Sequence, residues 1–96
     1  MKEKAININL KELKKIQYED EDYQKNILGI SDDVERGLKQ AVTMSNSNEN
    51  RVGLIFRSKL HGKLKIKSSV LMLGAKYIVI QGGKTIPVGS IEKVVL

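Results

Sequence analysis

The chain has 96 residues, one Pro, no Cys and no Trp, with 17 basic against 11 acidic side chains. That length holds one domain with a small core. The lack of Cys excludes a disulfide scaffold, a thiolate zinc site and a cysteine nucleophile. With a single His, His61, a histidine-rich metal site or a histidine-based triad lacks its parts, so the expectation is a non-enzymatic protein with no cofactor. No apolar run approaches the ~18 residues of a membrane helix, and the charged first residues do not read as a secretion signal. A soluble, cytoplasmic protein with no membrane role is expected.

In chain order, Ile6 and Ile8 alternate with Asn7 and Asn9, which predicts a short strand. Asn9 also suits the N-cap of a helix over Leu10 to Gln17, with Leu10, Leu13 and Ile16 three apart. The acidic run Glu19, Asp20, Glu21 and Asp22 reads as a solvated loop or first helical turn. Docking of that run on the chain's own basic half, or on a basic partner, is the alternative. Tyr23, Ile27 and Ile30 fall at helical spacing, with Gly29 as a stop. Ser31 is a good N-cap for the next helix, and Val34, Leu38, Ala41 and Val42 make its buried stripe. Gly37 weakens that helix by about 1 kcal/mol relative to Ala. Ser45 to Asn50 contains no apolar residue and is read as a connector that ends it.

After Arg51 the pattern is β. Val52, Leu54 and Phe56 alternate with Gly53, Ile55 and Arg57 in a first strand. Leu60, Gly62, Leu64, Ile66 and Ser68 alternate with His61 and three lysines in a second. Val70 to Leu73 continues it or begins a third piece. The apolar Tyr77 to Ile80 run suits a strand buried on both sides. Gly82-Gly83 makes a tight turn, Lys84 to Val88 returns as a strand whose Pro87 marks an edge, and Ile91 to Leu96 closes the chain. The predicted fold is α+β: a mainly helical segment over 1–44, a polar connector over 45–50, and a five-stranded antiparallel curved sheet or small barrel over 51–96, all in one domain.

The helix followed by short strands, the bend at Gly62 and the closing Lys84-Thr-Ile-Pro-Val-Gly-Ser-Ile-Glu-Lys-Val segment resemble an Sm-like small β-barrel. That segment is also similar to the C-terminal end of YolD-like proteins of Gram-positive bacteria and their mobile elements. The resemblance covers about residues 51–96. It implies a small accessory protein, in the YolD-like case one associated with DNA-damage functions.

Charge is divided unevenly. Residues 1–30 are balanced and 31–50 carry −2, whereas 51–96 carry nine basic residues against Glu92 alone, a net +8. Within that half, Lys59, His61, Lys63, Lys65 and Lys67 occupy alternate positions. In one extended strand they would share a face at roughly 7 Å intervals, with Arg57 prolonging the row. Such a row can follow phosphates and release counterions. Lysines of this kind also keep a sheet edge from pairing with other chains. Aromatic side chains for base stacking are few, and Phe56 and Tyr77 sit in apolar strand patterns, so backbone contact is favoured over base reading.

Catalytic motifs fare poorly. Asp32, Asp33 and Glu35 suit a helix first turn better than a carboxylate metal site. Gly83-Lys84-Thr85 lacks the first glycine of a phosphate-binding loop, because position 78 is Ile. The reading is a small DNA- or RNA-binding protein that contacts phosphates through Arg57, Lys59, His61, Lys63, Lys65 and Lys67, with a homodimer or higher homo-oligomer as its expected self-association. The alternative is a protein-interaction module, such as a phage- or plasmid-encoded inhibitor or regulator of a host protein.

Overall fold

In the computed structural model, which describes residues 5–19, 24–48 and 51–96, the period-2 pattern after Arg51 becomes strands whose alternate side chains fill the core. Among the described residues, seven strands form two sheets. The four-stranded sheet has the order β1-β3-β2-β7, where β1 is Ile6–Asn7, β2 Val52–Ser58, β3 Gly62–Ser68 and β7 Ile91–Val95. The three-stranded sheet has the order β4-β5-β6, made by Val70–Leu73, Tyr77–Ile80 and Lys84–Pro87. The helix α1 runs over Asp32–Asn48 and packs against β4 and β7. Val34, Leu38 and Ala41 from α1, Val52, Leu54 and Phe56 from β2, and Ile78 and Ile80 from β5 belong to one buried cluster.

This architecture corrects the predicted helical segment followed by a five-stranded sheet or barrel. Two physical causes account for the difference. First, Ile6 and Asn7 pair in parallel with Leu64 and Lys65, so the N-terminal segment adds a strand to the β half. Second, the period-2 run does not continue through residue 69. Ser68 Oγ donates to the Ser69 carbonyl at 3.0 Å and accepts from the Gln81 amide at 3.2 Å. That buried serine diverts hydrogen bonding from the first ladder, and β4 starts again in the other sheet, paired with β5.

Of the segment 1–44 expected to be mainly helical, residues 32–44 are helical, whereas residues 5–19 hold a 3-10 turn and no α-helix. Asn9 does cap, its Oδ1 accepting from the Glu12 amide at 3.0 Å, yet only a 3-10 turn over Glu12–Lys15 follows. Ile16 is already extended, and the Gln17 carbonyl accepts from the Lys59 amide at 2.7 Å. The chain is thus drawn along the β2–β3 hairpin, where the Tyr18 ring lies 6.0 Å from that of Phe56. Ile27–Gly29 is likewise a 3-10 turn, capped by Asn26 and pinned by the Ile27 amide to the Ala75 carbonyl at 2.6 Å. Tyr23 and residues 20–22 of the acidic run lie outside the described residues.

α1 begins as predicted. Ser31 Oγ accepts from the Val34 amide at 3.3 Å, and Asp32 and Asp33 occupy the first turn, where carboxylates favour the helix dipole. Its end differs, because the polar Ser45–Asn48 stretch continues the helix instead of breaking it. The turns follow the glycines: Gly62, Gly82 and Gly83 have φ of 69°, 85° and 76°, a region other residues enter at a cost. Tyr77–Ile80 is buried on one side only, since Ile78 and Ile80 are inaccessible while Tyr77 is 53% exposed. β6 is an edge strand, as Pro87 predicts.

Candidate nucleic-acid interface

The outer face of the four-stranded sheet is built by register. Lys63, Lys65 and Lys67 on β3 stand opposite Arg57, Ile55 and Gly53 on β2. On the other side of β2, Lys93 and Val95 stand opposite Ile55 and Gly53. Directly paired residues point to the same side of a sheet, and the intervening Leu54, Phe56, Leu64 and Ile66 are buried beneath. Lys65, Ile55 and Lys93 therefore form one cross-strand row, with Lys67 one pleat away. Asn7 lies next to Lys65 on the far side. Lys65 and Lys93 are two strand spacings apart, roughly 10 Å, and Lys65 and Lys67 roughly 7 Å.

Gly53 gives this face its relief. A Cβ there would lie 2.9 Å from Lys65 Cε and 3.3 Å from Val95 Cβ. The Lys65 stem thus passes over the bare glycine backbone, which fits its half-buried state. Both Cε and Nζ of Lys65 lie close over Gly53, Nζ at 3.7 Å from that Cβ position.

The charge at the hairpin end is compensated. Glu92 lies 3.3 Å from Lys63 Nζ and 3.6 Å from Arg57 Nε, and Arg57 also donates to the Gly89 carbonyl at 3.0 Å. Among the described residues, Lys65, Lys67 and Lys93 make no ion pair. The six residues predicted as a site are therefore divided. Lys63, Lys65 and Lys67 share the strand face as expected, and Arg57 stands beside Lys63 on β2 rather than in line with the row. Lys59 and His61 leave it, because β3 starts at Gly62 and both sit in the hairpin turn.

That turn has its own bonding: Ser58 Oγ accepts from the His61 amide at 2.8 Å and donates to the Gly62 carbonyl at 3.3 Å. His61 lines a cleft of about 420 Å³ with Ile6, Ile8, Ile16 and Leu64. Lys93 is the residue that sequence reasoning missed. Its signal is the pairing of the closing strand with β2, which no periodicity along one strand can reveal.

Elsewhere, Glu35 of the acidic helix start pairs with Lys39 at 3.1 Å. Among the described residues no helix is long and apolar enough to cross a membrane. No protein-family model, curated protein or solved structure matches the chain.

Proposed function

We propose that the chain binds the phosphate backbone of nucleic acid through the outer face of the four-stranded sheet, with Lys65, Lys67 and Lys93 as the contacts. One observation carries this reading: three lysines from two strands flank Ile55 and Gly53, with no ion pair to any described carboxylate. Concentrated cations of this kind attract a polyanion and gain affinity by releasing its counterions. Phosphate contacts position a ligand without reading its sequence, so binding is sequence-tolerant. An accessory role of the kind the YolD-like resemblance implies is compatible with such binding.

The test replaces Lys65, Lys67 and Lys93 together by Gln, leaving the core and turns intact. Binding of a labelled 20-mer oligothymidylate at 50 mM salt is expected to fall by an order of magnitude or more. Affinity retained in the triple variant removes the face from the function.

A protein partner is the second reading, favoured by Leu71, Met72 and Tyr77, which are half or more exposed on β4 and β5. Association through that surface would be largely indifferent to salt, unlike phosphate binding.

A further inference from the structure

Glu92 is the only acidic residue between Arg51 and Leu96, and its position is set by an irregularity. The β2–β7 register shifts between Ile55 and Phe56, which stand opposite Lys93 and Ile91. Glu92 is the extra residue. In an uninterrupted strand Glu92 and Lys93 would face opposite sides. The bulge instead lets both reach the outer face, as bulges commonly re-aim a side chain. The carboxylate then divides its oxygens, Oε1 to Arg57 Nε at 3.6 Å and Oε2 to Lys63 Nζ at 3.3 Å. Arg57 is held for this by the Gly89 carbonyl. The three side chains remain 31–38% exposed.

We infer that Glu92 is an internal phosphate mimic: it occupies the anion position between Arg57 and Lys63 and ends the phosphate track at that point. The inference rests on the reading of this face as a nucleic-acid interface, and it names which cations a ligand reaches. In the native chain a phosphate backbone meets Lys65, Lys67 and Lys93, while Arg57 and Lys63 already face the Glu92 carboxylate. Removing the carboxylate releases two cations and lengthens the track.

The experiment titrates a labelled 20-mer oligothymidylate at several salt concentrations between 50 and 200 mM. Each phosphate contact to a single strand contributes about 0.7 to the slope of log affinity against log salt. Glu92→Gln is expected to steepen the slope by about 1.4 and to tighten binding roughly tenfold or more at 50 mM. Lys63→Gln with Glu92 in place leaves the slope unchanged, whereas Lys65→Gln lowers it by about 0.7. Thermal melts establish that each variant is folded, and Lys63→Gln keeps the test open should Glu92→Gln not fold. A Glu92→Gln slope equal to the native one overturns the inference while leaving the interface standing. So does a Lys63→Gln loss as large as that of Lys65→Gln. No binding by either the native chain or Glu92→Gln overturns the interface itself.

Discussion

Gly37 shows how one residue's role inverts between sequence and structure. From propensity it is a weak point in the middle of a helix, costing about 1 kcal/mol against Ala. In the fold it is where α1 meets β7, since a Cβ there would lie 2.8 Å from Val94 Cβ. Val94 is β-branched and half-buried, so it cannot swing away as a long side chain could. Overpacking of this kind costs about 1–3 kcal/mol, more than the propensity gain. Gly37→Ala is therefore expected to destabilise by about 1 kcal/mol in urea unfolding; a stabilised variant would contradict the close approach. The lysines divide on the same principle. Alternation placed Lys63, Lys65 and Lys67 on one face, but only the register identifies Lys93 as their neighbour and Glu92 as the partner of two cations.

At the scale of elements, legibility followed the strength of local signals. Ser31 as a cap, the Val34–Leu38–Ala41 stripe, the β2 alternation and the glycine turns were all readable. What failed had no strong signal of its own. Leu13 is the sole buried side chain in the 3-10 turn over Glu12–Lys15, so helix formation there gains little, and the hydrogen bond from Lys59 to Gln17 wins. Ser45–Asn48 stays helical because propensity is a weak prior once a helix is nucleated and packed. The split between β3 and β4 depends on Ser68, whose two hydrogen bonds reach Ser69 and Gln81. Turn glycines carry a prediction here. Left-handed backbone costs a residue with a Cβ about 1–2 kcal/mol, and Gly82 and Gly83 are both in that region with open space around them. Gly82→Ala and Gly83→Ala are each expected to destabilise by about 1 kcal/mol in urea unfolding. A variant without loss would show that the turn relaxes to another conformation.

For the whole molecule, the two sheets and α1 share one core, and that leaves the outer face of the four-stranded sheet to solvent. The uneven charge read from the sequence thereby becomes a surface: of the net +8 over residues 51–96, three lysines with no ion pair among the described residues gather on β3 and β7. Apolar exposure occurs on both sheets, at Leu71, Met72 and Tyr77 on the second and at Ile6 and Val95 on the first, but only contacts made by the lysines are screened by salt. Binding of a polyanion and association through apolar contact are therefore separable by salt.

The most direct measurement is the affinity of the native chain for a labelled 20-mer oligothymidylate and for a 20-base-pair duplex, each at 50 and 200 mM salt. Three phosphate contacts predict an affinity that falls roughly 20-fold for the single strand and 40-fold for the duplex over that range. No binding at 50 mM, or binding that salt leaves unchanged, would contradict the assignment of the lysine face to phosphate.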